Sequence, residues 1–253
     1  MLSDALSFPR QHDDWLKTVL VGGVLTIFSF LFIPVLPVQG YLVRVLDAGV
    51  RDAETPPVFD DWGDLFVDGV LVFVIQFAYA IIPIVVIFFG TFVLGAGALA
   101  AGGGAEGAGT GIGLLGGLVL LVGFLLSLVA AYLIPAATAN FAYEDDIGAA
   151  FDLGTIREAA FTGDYFVAVV LAVVVSIVLG FVGGALSVVL VGFFVLFYLQ
   201  VVVYFLFGRG FGEGLGIDTT PGDGVGGDGD TTGGDDAGDD TSDDRIPDPD
   251  PLT

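Results

Sequence analysis

The sequence predicts an all-α membrane protein: a polytopic bundle of about five transmembrane helices, with interfacial amphipathic linker helices and a disordered acidic tail. Two observations indicate this class. Hydrophobic residues make up 55% of the chain and mean hydropathy is +0.90. These residues also gather in long stretches without a charged side chain. Because a charge at mid-bilayer costs about 3 kcal/mol, such stretches are typical of helices inside a membrane.

The charge-free stretches divide into five predicted transmembrane helices. A hydrocarbon core of about 30 Å needs roughly 20 helical residues. The last stretch is too long for one crossing, and Gly183 and Gly184 offer a place for it to turn. The Gly- and Ala-rich residues 95–111 are expected to form a loose loop. The predicted helices are residues 18–38, 70–100, 112–134, 165–182 and 185–207.

The positions of Lys and Arg predict the orientation. With five crossings, one side carries most of the bases and is predicted to be cytoplasmic, and Arg10 and Lys17 lie on the other side. If residues 18–38 instead form a re-entrant hairpin, all seven bases share the cytoplasmic side. A crossing is the first expectation and the hairpin is the alternative. The bases on the predicted cytoplasmic side of the crossing arrangement are Arg44, Arg51, Arg157, Arg209 and Arg245.

Two polar linkers, residues 39–68 and 144–164, are expected to lie on that cytoplasmic side, and the first contains an amphipathic pattern. On a helical wheel, Phe59, Trp62 and Phe66 share one side, which predicts an anchor at the headgroup boundary. The opposite side is acidic and is predicted to face water, or alternatively a divalent cation or a partner. Its residues are Asp60, Asp61, Asp64 and Asp68.

Several kinds of chemistry have little support in the composition. The chain has no Cys, and its single histidine, His12, has no nucleophile beside it. We therefore predict no catalytic residue, no cofactor and no metal site. The predicted helices contain no Asp, Glu, Lys, Arg or His, which counts against proton- or sodium-coupled transport.

The excess of acidic residues bears on partners and on origin. The net charge of −23 would repel nucleic acid, so no such partner is expected. Acidic, lysine-poor soluble segments suit a cell with molar internal salt, where the Debye length falls to about 3 Å. A halophilic archaeon is the predicted source. Residues 1–207 are predicted to form the membrane domain, and the Gly- and Asp-rich residues 208–253 a disordered tail.

Pairs of glycines spaced i, i+4 indicate where helices approach closely. Gly113 and Gly117 form one such pair, and Gly180 and Gly184 form another. Both pairs are predicted to pack helices within the chain.

Four segments carry a resemblance to a known family. They are DALSFPR at 4–10, DDWLK at 13–17, GYLVRVL at 40–46 and PPVFDDWG at 56–63. These segments resemble an uncharacterised prokaryotic family of membrane proteins, the domain of unknown function numbered 4013, which is well represented in halophilic archaea. The resemblance would cover residues 1–207 and implies a location in the cell membrane. It implies no activity, ligand or catalytic residue.

The leading functional expectation is a non-enzymatic protein that organises the membrane or binds partners, namely the lipid bilayer and a membrane protein or a second copy of the chain. The first alternative is a facilitator or transporter subunit in which Gln76 and Gln200 line a path. The second is a metal-dependent, lipid-active enzyme using the four aspartates of the first linker.

Overall fold

The computed structural model describes residues 1–217 of the 253-residue chain. Within this range the chain is all-α and has no strand, so the predicted fold class is confirmed. Four short 3-10 segments join some of the helices. The helices are α1 (Leu2–Ser7), α2 (Trp15–Ile27), α3 (Val35–Val50), α4 (Trp62–Gly102), α5 (Glu106–Glu144), α6 (Leu153–Ala160), α7 (Gly163–Leu186) and α8 (Val191–Leu215).

Four helical segments are individually long and apolar enough to cross a membrane. A fifth candidate is a bent pair, Leu2–Arg10 and Trp15–Leu31, whose halves meet at 92°. The predicted helices at 70–100 and 112–134 lie inside α4 and α5. The four segments are Trp62–Gly102, Glu106–Glu144, Gly163–Val189 and Val191–Leu215.

Residues 1–50 leave one end of the bundle and return to it. The Arg209 guanidinium lies 2.9 Å from the Asp4 carboxylate and 3.3 Å from the Asp52 carboxylate. Because these acids precede α2 and follow α3, the intervening chain forms a hairpin of helices. Phe32 occupies a positive φ of 66° at the turn, and the Phe30 side chain there is 77% exposed. Residues 18–38 are therefore divided between α2, the turn and the start of α3, as the re-entrant alternative expects, and do not form one straight helix.

Helix α3 occupies residues that the sequence assigned to a polar linker. Eleven of its sixteen residues are buried, including Tyr41, Leu42 and Leu46. A Cβ atom on Gly40 would lie 2.0 Å from the Leu65 carbonyl oxygen, so α3 and α4 touch backbone to backbone. The first linker is therefore only the residues between α3 and α4. The presence of Gln39, Arg44 and Asp47 obscured a helix whose other faces are apolar.

Helices α4 and α5 form a long antiparallel hairpin. At a rise of about 1.5 Å per residue each measures roughly 60 Å, twice the hydrocarbon thickness. The predicted loop at 95–111 is wrong, since α4 continues to Gly102 and α5 begins at Glu106. The small residues pack the two helices together instead of breaking them. The closest approaches to the facing helix occur at Gly90, Gly97, Gly109, Gly116 and Gly123.

Helices α7 and α8 form the second hairpin. The turn between α7 and α8 lies at 187–190 and not at Gly183 and Gly184. Gly183 instead remains inside α7, where Gly192 of α8 packs closely against it. A Cβ on Gly192 would lie 2.1 Å from the Gly183 carbonyl oxygen. Helix α8 runs to Leu215 and thus continues past residue 207, where the membrane domain was predicted to end. Gly208 and Gly212 sit against the backbone of α3, which explains why glycines continue this helix. The remainder of the predicted tail lies outside the described residues.

The two hairpins share a core at one end and separate beyond it. Ala136 and Phe141 of α5 pack in one buried cluster with Val72 of α4, Tyr165 of α7 and Phe211 of α8. Helix α4 makes no extended contact with α7 or α8 along the described chain. Each hairpin therefore extends from this core with most of its apolar side chains uncovered.

Candidate functional site

The loop between α3 and α4 carries the aromatic residues that were predicted to anchor an interfacial helix. Phe59 lies in this loop and faces inward, stacked on Tyr41 with ring centroids 4.3 Å apart. Its ring also lies 6.0 Å from Phe197 and 5.9 Å from Trp62. Phe66 is half-buried on α4. The helix that was predicted to carry all three aromatic residues therefore does not include Phe59, which precedes α4 and packs on the buried Tyr41 ring. The anchor at the headgroup boundary stays a prediction.

The four aspartates of the predicted acidic face do not share one helix. Asp60 precedes α4 and forms an ion pair with Arg44. Asp61 is the N-cap of α4 and adopts φ 45° in the left-handed region. Only Asp64 and Asp68 stand on the helix, four residues apart. The described residues contain no group of three His, Cys, Asp or Glu side chains that could hold a metal ion.

An ion cluster around Arg209 joins three parts of the chain at the base of α8. Besides Asp4 and Asp52, the guanidinium contacts the Glu213 carboxylate at 2.9 Å. Its side chain is 18% exposed, whereas the three acids are 38–49% exposed. Water can therefore solvate the three acids. The guanidinium is largely shielded from water, so its charge is balanced mainly by these acids. The sequence analysis did not predict this cluster. The only signal in the sequence was that seven bases face thirty acids, so that a partly buried base is expected to contact several acids.

A second guanidinium, that of Arg51, joins helix ends at the same end of the bundle. Arg51 lies 2.6 Å from the Asp47 carboxylate and donates to the Tyr143 carbonyl oxygen at 2.9 Å. Its charge also sits 4.7 Å from the centre of the Tyr143 ring. Burial raises the pKa of Asp47, and the hydrogen bond and charge of Arg51 oppose that shift. These contacts attach the end of α3 to the end of α5.

Tyrosines hold the second linker against the bundle. Tyr79 donates to the Ala150 carbonyl oxygen at 2.8 Å, and Tyr132 donates to that of Ala160 at 2.5 Å. Asp152 caps α6 by accepting from the Thr155 hydroxyl and from backbone amides, and these bonds hold its pKa below its usual range. This linker thus contains a short helix, α6, which is held by hydrogen bonds to Ala150 shortly before it and to Ala160 at its last residue.

Two cavities flank α2, and together they hold both tryptophans of the chain. The first has a volume of about 320 Å³, is almost entirely apolar, and has Arg10 and Trp15 in its wall with residues of α7 and α8. The second has a volume of about 420 Å³ and is mixed in chemistry. We call it the α2–loop cavity. Its lining is His12, Asp14, Lys17, Thr18, Val21, Val58, Phe59, Asp60 and Trp62.

The α2–loop cavity brings together residues of the segments DDWLK at 13–17 and PPVFDDWG at 56–63. Asp14 and Lys17 come from the segment DDWLK, and Phe59, Asp60 and Trp62 come from PPVFDDWG. Lys17 ends the first segment and Pro56 begins the second, and the two segments come together only because α2 and α3 form a hairpin. Of the predicted site residues, Phe59, Asp60 and Trp62 line the cavity, and Asp61, Asp64, Phe66 and Asp68 do not.

Comparison with known proteins places the chain at the level of a family. No curated protein matches it, and no solved structure matches it. A family model described as "Protein of unknown function (DUF4013)" matches residues 21–188, which is more than half of the chain. The match includes the Phe59–Trp62 loop and stops within the α7–α8 turn. The chain belongs to this family of proteins of unknown function, DUF4013.

Proposed function

We propose that the chain is a non-enzymatic membrane protein that binds the transmembrane helices of a partner protein between and around its two hairpins. The observation that supports this proposal is the separation of the α4–α5 hairpin from the α7–α8 hairpin beyond their common core. Large apolar side chains stay uncovered on both, such as Phe88 at 75% and Phe181 at 80%. Transmembrane helices of a partner protein can cover these side chains without burying a charged group.

A facilitator is the weaker candidate, because its two polar residues are not arranged as a path. Gln76 is half-buried on α4 and Gln200 is half-buried on α8. These helices make no extended contact with each other in the described chain. The two amides therefore do not line one channel within this chain.

The proposed location is the cell membrane of a salt-rich cell, with the base of the bundle on the cytoplasmic side. Arg44, Arg51, Arg157 and Arg209 belong to segments at the base, which the positive-inside rule assigns to the cytoplasm. The shared contacts of Asp4 and Asp52 with Arg209 support the same side for Arg10 and Lys17. The low lysine content and net charge of −23 support the salt-rich cell.

In-membrane photo-cross-linking tests the partner proposal. A photoreactive phenylalanine is placed at Phe88, Leu115, Ile177 or Phe181, one site per variant, with Leu153 on α6 as an exposed control outside the hairpins. We expect one membrane protein to cross-link from both hairpins and not from Leu153. Deleting that protein's gene should remove the adducts, and probes in its transmembrane helices should label this chain in return. Lipid adducts alone at all four hairpin positions would overturn the proposal.

A further inference from the structure

The α2–loop cavity combines a cation without an ion pair, neutral hydrogen-bond donors and aromatic walls. Lys17 is the only lysine of the chain and is exposed. It makes no ion pair with any described residue. We propose that this cavity binds the phosphate-ester headgroup of an anionic glycerophospholipid. The proposal is independent of the partner protein proposed above.

The donors of the cavity suit a phosphate group. Lys17 supplies an ammonium group, Thr18 a hydroxyl and Trp62 an indole N–H. His12 adds a fourth, because its Nδ1 accepts from the Asp14 amide at 3.0 Å, and the neutral ring then carries its proton on Nε2. Charge-assisted bonds from an ammonium to phosphate are about twice as strong as neutral ones, so Lys17 carries most of the expected affinity.

The acids of the cavity select the rest of the headgroup. Asp60 is already paired with Arg44, so its charge is compensated within the protein. Asp14 forms no ion pair with a described residue and would repel a bare phosphate. A headgroup that carries hydroxyls next to its phosphate can donate to the Asp14 carboxylate and turn this repulsion into a hydrogen bond. A glycerol headgroup has these hydroxyls, and choline does not.

The surroundings of the cavity favour a lipid over a soluble phosphate ester. Val21 lines the cavity, Val24 follows it at i+3 on the same side of α2, and Phe28 comes directly after the end of α2. Val24 is 44% exposed and Phe28 is 45% exposed. These residues form an apolar strip that runs from the cavity toward the apolar turn at Phe30 and Phe32. A hydrocarbon chain can lie along this strip while its headgroup occupies the cavity.

Tryptophan fluorescence tests the proposal in the full chain, purified in detergent. Trp62 lines this cavity and Trp15 lines the other one, so Trp15→Phe leaves Trp62 as the single reporter. The probes are short-chain phosphatidylglycerol, short-chain phosphatidylcholine, free glycerol phosphate and inorganic phosphate. We expect saturable binding of phosphatidylglycerol, and binding at least about tenfold weaker for the other three.

Variants separate the site from general attraction to the detergent–lipid surface. In the Trp15→Phe background, Lys17→Gln should weaken phosphatidylglycerol binding at least about tenfold, whereas Arg10→Gln, in the wall of the other cavity, should leave it within about twofold. Lys17 is exposed, so its variant should fold, which size-exclusion chromatography and thermal unfolding check. Equal loss in both variants, or no loss in Lys17→Gln, would overturn the site. Free glycerol phosphate binding as tightly as the lipid would overturn the lipid as its source.

Discussion

Single glycines determine how closely α5 approaches α4, and their spacing explains why one face of α5 stays against α4. Gly109, Gly116 and Gly123 recur every seven residues and each faces the backbone or a side chain of α4. A seven-residue repeat keeps one seam of a helix against its partner. The predicted pair Gly113 and Gly117 supplies this seam only in part: the Gly113 backbone lies against Gly97, but a Cβ on Gly113 or Gly117 would meet no atom within 4 Å.

Adjacent glycines provide a matched test of this seam. A Cβ on Gly116 would lie 2.4 Å from the Leu94 amide nitrogen, so Gly116→Ala must push the helices apart. We expect it to destabilise the protein by about 1–3 kcal/mol. Gly117→Ala fills open space and should be neutral or stabilising by up to about 1 kcal/mol, because alanine favours helix. Thermal unfolding in detergent measures both; equal melting temperatures for the two variants would contradict the seam.

A second residue-scale prediction concerns Phe59, whose ring fills the space between Tyr41 and Trp62. Phe59→Ala removes the stack on a buried ring and should cost about 2–3 kcal/mol. Trp62→Ala should cost less, because the Trp62 side chain is 45% exposed. Thermal unfolding compares the two variants. A larger loss in Trp62→Ala would mean that the exposed indole, as in the predicted interfacial anchor, contributes more than the buried stack.

At the scale of elements, the hairpin of α2 and α3 is held at both ends by one side chain. Arg209 contacts Asp4 before α2 and Asp52 after α3. Helix α1, which contains Asp4, is anchored further by Phe8 directly after it, which is 1% exposed and stacks on Phe205 at 4.0 Å. Loss of Arg209 should therefore loosen α1 before it affects the spanning hairpins.

Limited proteolysis tests the role of Arg209. In Arg209→Gln we expect trypsin to cut after Arg10 at least about fivefold faster than in wild type, and more so at low salt, where ion pairs are less screened. Arg51→Gln is the control, since Arg51 holds α3 to α5 and does not contact α1. Mass spectrometry of the N-terminal fragment measures the rate. Equal rates in Arg209→Gln and wild type would show that Phe8 packing alone holds α1.

At the scale of the whole molecule, hydropathy predicted the long helices of the two hairpins. It failed for the segments whose structure depends on tertiary contacts. The helices 70–100 and 112–134 were predictable because charge-free length is a local property. Helix α3 was not, because its polar Gln39, Arg44 and Asp47 stand among residues buried against α4 and α8. The α2–loop cavity was not predictable either, since Lys17 and Asp60 come to line one cavity only after residues 1–50 fold back on the bundle.

The return of residues 1–50 to the base predicts the topology of the chain in the membrane. Because the chain has no Cys, single cysteines at His12, Glu54, Ala105 and Glu158 can be labelled on intact cells with an impermeant maleimide. Ala105 lies at the α4–α5 turn, about 60 Å along the helix from Trp62, and should react from outside. The other three should react only after permeabilisation. Reaction of His12→Cys on intact cells, with Glu54→Cys protected, would show that the N-terminal segment crosses the membrane and that the Arg209 contacts do not form there.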